Sequence, residues 1–349
     1  MASATIHSEQ VLLQLLGTVL GVKPGNIQSR GLEQNGADGL FEAARCRFVL
    51  EAKSASDAAS IDRAIQQLRS YLRDHKAKAI GVIVVPYMGE VGRRMCREAG
   101  MGWLDLAGNA YLSGPGLRID IQGRPNRFRR RGRPSDLFAP KSSRVARWLL
   151  LNPDKSIRQG ELAAAVGLGG GFVSRIVKQL AERELVVREE SGAVKVRDAA
   201  LLLNAWRERY DFFRHEALKG VIAARSGDEG LQRLASVFES EKIPYAATGM
   251  GVAWLLSHFA AFRRVMVYLK QAPSASLLEK IGFREGEAGA NVWLVLPNDE
   301  GVFLGEEPRE GVRCVSPVQA YLDLKGHPER AEEAAERLRE QYLNRSRHA

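Results

Sequence analysis

Five side chains in the first third of this 349-residue chain have types and spacing suited to chemistry: Asp38, Glu51, Lys53, Gln67 and Tyr71. Glu51-Ala52-Lys53 closes an apolar run that begins at Phe48. In a strand over residues 48–53, Glu51 and Lys53 point to the same face, because side chains alternate with period two. Asp38 precedes Glu51 by 13 positions, enough for a strand, a bend and the return. Two carboxylates and a lysine at the end of one hairpin can hold Mg²⁺ or Mn²⁺, through Asp38 and Glu51, and steady an attacking water. Gln67 and Tyr71, at i and i+4 on the next helix, share a face and complete such a pocket. The plain alternative is that Glu51 and Lys53 form an ion pair at a strand end.

A second set of residues suits nucleic-acid recognition. Residues 144–151 read as a helix stopped by Asn152-Pro153, and residues 156–163 open a second. The glycines of residues 167–171 make a turn, residues 172–182 form a third helix, and residues 185–188 and 194–197 flank a tight turn at 189–192. Helix, helix, Gly-containing turn, helix and hairpin is the order of a winged helix-turn-helix. In the third helix Val173, Ile176, Val177 and Leu180 recur at core spacing, which leaves Gly170, Ser174, Arg175, Lys178 and Gln179 to face outward. Small residues at a helix start permit close approach to a duplex, and Arg and Lys supply phosphate or guanine contacts. Arg158 lies near the start of the second helix, and Lys195 and Arg197 fall on the wing.

Charge points the same way. The net charge is +10, yet nine basic residues and one acid, Asp136, fall between Arg124 and Arg147. That block carries +8, so the other residues are nearly balanced. Such a block most often meets a polyanion. Within it, Arg127, Arg129, Arg130, Arg131 and Arg133 are the candidate phosphate contacts, and Arg131-Gly132-Arg133-Pro134 has the form of a minor-groove arginine clasp.

The elements that must position these residues form an α/β multidomain chain. Residues 1–123 alternate helix and strand: a helix over 11–20, strands at 40–41 and 48–50, a helix over 61–72, a buried strand at 79–85, a helix over 89–99 and a strand near 103–106. Residues 102–111 read as that strand followed by an Asn turn. Residues 124–141 are a basic linker, 142–212 the winged helix, and 213–349 a region of strands (264–269, 290–296) with a long charged helix over 328–342. Cys46, Cys96 and Cys314 are far apart and fit neither a disulfide framework nor a zinc site. The apolar stretch 11–22 falls short of the ~20 residues that cross a bilayer. No signal-type segment precedes it. The expectation is a cytoplasmic protein with no membrane partner.

Asp38, Glu51-Ala52-Lys53 and Gln67-Leu68-Arg69-Ser70-Tyr71 resemble the PD-(D/E)xK restriction-endonuclease-like fold and the Q-x-x-x-Y motif of its RecB-like branch, with Ala37 where the family carries proline. The last region resembles a nucleotidyltransferase fold: Thr248-Gly249-Met250-Gly251 and the helix over 252–259 occupy the place of its Gly-Ser turn. The following strand, 265–269, lacks the two metal-binding acids that such transfer needs, which implies an inactive domain. Ser316 to Leu324, a capped helix start, is read as scaffold. The ordered architecture is similar to AbiEi-like antitoxins of type IV toxin–antitoxin systems, which implies binding of promoter DNA through the winged helix.

The leading reading is therefore a non-enzymatic, DNA-binding transcriptional regulator on double-stranded DNA. It would act as a homodimer and need no cofactor for binding. The alternatives are a nuclease dependent on Mg²⁺ or Mn²⁺ and targeted by the winged helix, and an antitoxin acting by contact with a cognate toxin.

Overall fold

The computed structural model describes residues 6–30, 37–75, 78–128 and 137–343. The chain divides into two compact units, Met1–Pro134 and Ser135–Ala349.

The first unit opens with α1 (Glu9–Leu20). A seven-stranded sheet follows, ordered as in the chain: β1 (Gln28–Ser29), β2 (Gly39–Ala43), β3 (Cys46–Ala52), β4 (Ile80–Val85), β5 (Gly102–Asp105), β6 (Ala110–Gly114) and β7 (Leu117–Ile121). Helices α2 (Ala58–Asp74) and α3 (Glu90–Glu98) make the two crossovers between the parallel central strands β3, β4 and β5. Strand β4 is apolar throughout because both faces of a parallel sheet are covered. Leu12 and Leu16 of α1 pack against Phe48, Leu50, Ala52, Val82 and Val84. By alternation, Val49, Glu51 and Lys53 face the α2 side. On that side Gly81 lets α2 come close: a Cβ would lie 2.6 Å from Met101 Sδ and 3.2 Å from Leu72 Cδ1. The β6–β7 hairpin extends beyond the strand and Asn turn read from the sequence, and it reverses at Gly114-Pro115-Gly116.

The second unit begins with a winged helix: α4 (Ser143–Leu151), β8 (Ile157–Arg158), α5 (Gln159–Val166), α6 (Gly170–Glu182), β9 (Val186–Arg188) and β10 (Ala193–Val196). The three strands pair in the order β8-β10-β9. Residues 156–158 are not the start of α5, as their sequence suggested. Ile157 is buried and pairs with Val194, and this ladder captures the segment as a strand. Helix α7 (Ala199–Arg209) follows, capped by Asp198.

The rest of the unit holds a mixed seven-stranded sheet, ordered β14-β11-β15-β13-β12-β17-β16. Along the chain its elements are β11 (Glu216–Val221), α8 (Gly227–Ser240), β12 (Tyr245–Thr248), α9 (Gly249–Ser257), β13 (Val265–Leu269), α10 (Ala275–Ile281), β14 (Arg284–Glu285), β15 (Val292–Leu296), β16 (Glu307–Arg309), β17 (Val312–Cys314), α11 (Pro317–Asp323) and α12 (Ala331–Leu338). At the β12–α9 junction Gly249 adopts φ 61°, and a Cβ there would lie 2.0 Å from Met266 Cε, so the turn requires glycine. The long helix expected over 328–342 is shorter. Gly326 and Glu329 adopt φ of 73° and 67°, which no right-handed helix accommodates, so α12 starts at Ala331 and passes into a π-helical turn at Arg339.

Candidate functional site

Three places in the two units gather polar and charged side chains, and α6 is the first. Gly167, at φ 64°, ends α5, and Gly169 precedes α6 in an extended conformation. Val173, Ile176, Val177 and Leu180 are buried, while Gly170, Ser174, Arg175 and Lys178 are exposed and Gln179 is half-buried. The Arg175 guanidinium lies over the Phe172 ring, 5.7 Å from its centroid. No side chain caps the α6 N-terminus, and the space around Gly169, Gly170 and Gly171 is open. Amide donors at such a terminus, with the helix dipole, favour a phosphate. Arg158 is exposed at the start of α5.

The wing is less uniformly basic than its sequence suggested. Lys195 is half-buried, and Arg197 is held by Glu184 at 2.7 Å. The tip presents Glu189 and Glu190, and Glu189 accepts a hydrogen bond from Ser156 Oγ. Arg188, exposed on β9, was not singled out from the sequence, where alternation would place it on the face of buried Val186.

The basic block also separates into parts. Arg129, Arg130, Arg131 and Arg133 lie outside the described residues. Arg127 and Lys141 are exposed. Arg124 is anchored to the first unit: its backbone N–H donates to Asn109 Oδ1 at 2.8 Å, and Asn109 Nδ2 donates to its carbonyl at 3.2 Å. Asn109 is held in turn by buried Asp105, through bonds of 2.9 Å from its backbone and side-chain nitrogens. The sequence reading of residues 102–111 missed this clamp. Arg144 and Arg147 are structural, which corrects their place in a polyanion-facing strap. Arg144 makes two bonds to Asp299, at 2.6 and 2.8 Å. Arg147 is 2% exposed, with its guanidinium 4.9 Å from the Trp206 ring centroid.

The second place is the end of β3. Glu51 is buried, and Lys53 Nζ donates to Glu51 Oε1 at 2.6 Å and to Gln67 Oε1 on α2. Asp38 comes in from the turn before β2, where its Oδ2 accepts from the Ala52 N–H at 2.7 Å. His7 lies 3.4 Å from the same carboxylate. Asp38, Glu51, Lys53 and Gln67 thus lie together at this end of β3. Tyr71, one turn beyond Gln67, is buried with its ring stacked on His75 at 4.2 Å. Burial pushes the Glu51 carboxyl above its ordinary range, and the bond from Lys53 opposes that shift. Among the described residues no group of three or more His, Cys, Asp or Glu side chains is arranged to hold a metal ion.

The third place was read as scaffold. Asp323, at the end of α11, is fully buried and accepts from Thr248 Oγ1, Tyr210 OH, Tyr268 OH at 3.1 Å and Gln319 Nε2 at 2.7 Å. Burial outweighs these four donors and raises its carboxyl to about 6. Gln319 Oε1 accepts from Arg147 Nη2. His215, pushed by burial to about 4, is neutral near pH 7. Its Nδ1 lies 3.1 Å from the Asn298 N–H, which can only donate. The ring proton therefore sits on Nε2 and is shared with Tyr210 OH at 3.1 Å. Burial also raises the Cys96 and Cys314 thiols to about 12, which leaves neither a thiolate at neutral pH.

Residues 139–195, the winged helix, match the MarR family. Residues 176–344, just under half of the chain, match the family described as transcriptional regulator, AbiEi antitoxin, type IV TA system. The two matches share the end of α6 and the wing, and neither reaches the first unit. They support a DNA-binding regulator or antitoxin. Comparison with curated proteins and with solved structures gave no match. Among the described residues no single helix is long and apolar enough to cross a membrane.

Proposed function

We propose that the protein is a transcriptional regulator that reads promoter DNA with the exposed face of α6. One observation carries this reading: Gly170, Ser174, Arg175 and Lys178 share an open face, over a buried core, beside an uncapped helix N-terminus. Arg175 is the candidate base reader, and Ser174, Lys178, Arg158 and Arg188 contact phosphates. Arg127 and the arginines at 129–133 add sequence-independent attraction. A symmetric dimer would place two α6 helices about 34 Å apart on one side of a duplex. A cognate toxin is the protein partner that the antitoxin similarity suggests.

Selection of binding sites from a random duplex library, followed by fluorescence anisotropy, tests the assignment. Arg175→Ala should bring the affinity for selected DNA close to that for random DNA. Lys178→Ala should weaken both alike and lower the salt slope by about 1. An unchanged selected-to-random ratio in Arg175→Ala overturns the reading.

A second reading rests on the convergence of Asp38, Glu51, Lys53 and Gln67. In a nuclease, Asp38 and Glu51 would hold Mg²⁺ or Mn²⁺, which supplies Lewis acidity, and Lys53 would steady the attacked phosphate or the water. Cleavage that appears with added metal and disappears in Lys53→Ala supports it. No cleavage of single- or double-stranded DNA or RNA overturns it.

A further inference from the structure

Strand β7 ends one side of the first unit's sheet and is the longest edge strand among the described residues. It runs for five residues, Leu117–Ile121, in unbroken register with β6 and without proline. The other sheet edges are shorter: β1, β8 and β14 have two residues each, and β9 and β16 have three. Short edges protect a sheet from pairing with another chain, whereas a long regular one is a template for it.

The turn sets the backbone phase of β7. Pro115 and Gly116 form a two-residue reversal, so Gly114 and Leu117 are a hydrogen-bonded pair. Leu117, Ile119 and Ile121 therefore turn their N–H and C=O groups to β6, and those of Arg118 and Asp120 point outward from the sheet edge. Side chains alternate with the same period. Leu117, Ile119 and Ile121 are half-buried against the core, while Arg118 and Asp120 are exposed on the other face. Arg118 stands opposite Ser113 and Asp120 opposite Tyr111, so β6 offers neither a charge partner. Asp120 accepts from Gln122 Nε2 at 2.7 Å, a neutral amide.

The order Leu-Arg-Ile-Asp-Ile is complementary to itself. Laid antiparallel on a second copy about a two-fold axis at Ile119, β7 brings Arg118 opposite the partner's Asp120 and Asp120 opposite the partner's Arg118. In that register these residues are also the hydrogen-bonded pairs, each exchanging both N–H···O bonds. Ile119 meets the partner's Ile119, and Leu117 meets the partner's Ile121. The neighbouring registers of the same phase place Arg118 on the partner's Arg118, or Asp120 on the partner's Asp120, and like charges directly opposite are destabilising.

We propose that β7 is a self-association surface: two copies of this chain pair β7 to β7, antiparallel, about a two-fold axis at Ile119. The contact is isologous, as a symmetric dimer requires. It does not rest on the DNA-binding reading, and its test is made without DNA.

Sedimentation velocity of the full chain over a concentration series reads the contact. The wild type should pass from monomer to dimer as concentration rises. Asp120→Arg sets arginine opposite arginine on both sides of the axis, and Arg118→Asp sets carboxylate opposite carboxylate. Each should weaken dimerisation by about tenfold or more. Both side chains are exposed, so each variant should keep the wild-type far-UV spectrum and unfolding midpoint. Mixing the two variants restores both opposite-charge pairs, and the mixture should dimerise with close to wild-type affinity. The double exchange Arg118→Asp/Asp120→Arg should do the same by itself. A wild type that stays monomeric throughout, a dimer insensitive to both single changes, or a mixture that associates no better than either variant alone overturns the proposal.

Discussion

Glu51 and Asp323 are both buried carboxylates at the end of a regular element, and they are solved in opposite ways. Glu51 ends a strand and meets a cation directly, with Lys53 at 2.6 Å and Asp38 close enough to repel it. That cluster stays accessible: the side chains of Lys53 and Asp38 are 21% and 28% exposed. Asp323 ends a helix, has no direct cation, and is surrounded by the hydroxyls of Thr248, Tyr210 and Tyr268 and the amide of Gln319. The first arrangement concentrates charge where a ligand can arrive. The second spends one carboxylate on organising four neutral groups in a closed interior. An accessible charge cluster is a candidate for chemistry, whereas a closed network of neutral donors gives a core one arrangement.

The largest test of this contrast is Asp323→Ala, which strands Tyr210, Tyr268, Thr248 and Gln319 together. Denaturant unfolding of the full chain should show a loss of about 3 kcal/mol in the transition of the second unit. A loss below about 1 kcal/mol would mean that the network does not hold the core.

Next comes the Glu51–Lys53 pair, through a double-mutant cycle of Glu51→Gln and Lys53→Met. Each single change should cost about 1–2 kcal/mol, with a coupling near ~1 kcal/mol, because the pair is only partly shielded from water. Zero coupling would make the two side chains neighbours without a partnership.

The smallest effect is in pH. Asp323 titrates near 6 in the folded chain, against an ordinary value of 3.8. The folded state therefore takes up its proton first as pH falls. Its contribution to stability is fully present below 3.8 and is lost as pH rises through about 6. Relative to Asp323→Asn, the wild type should gain roughly 1 kcal/mol between pH 8 and pH 5. Glu51 shifts in the same direction, so comparison with Glu51→Gln should show a change of the same sign. His215 and His327, both lowered to about 4, act oppositely: their contribution is present above 6.5 and is lost as pH falls through about 4. The variant comparison is needed to separate them.

Local pattern sufficed wherever the physics is local. The i, i+3, i+4 spacing of Val173, Ile176, Val177 and Leu180 marked the buried face of α6 and, by exclusion, its open one. Period-two alternation put Glu51 and Lys53 on one side of β3, and the unbroken apolar run at 80–85 announced a strand covered on both faces. The open readings were those whose outcome depends on distant partners. Arg144 and Arg147 look in the sequence like the end of a basic strap, but their acceptors, Asp299 and Gln319, lie 155 and 172 residues away. Gln319 and Asp323 look like an ordinary helix start until Tyr210, Thr248 and Tyr268 close around them. Composition and periodicity set which residues carry charge and which side of an element is apolar. Whether a charge meets solvent, a counter-ion or a closed cavity was decided by tertiary structure alone, because desolvation and hydrogen bonding depend on neighbours that no local spacing encodes.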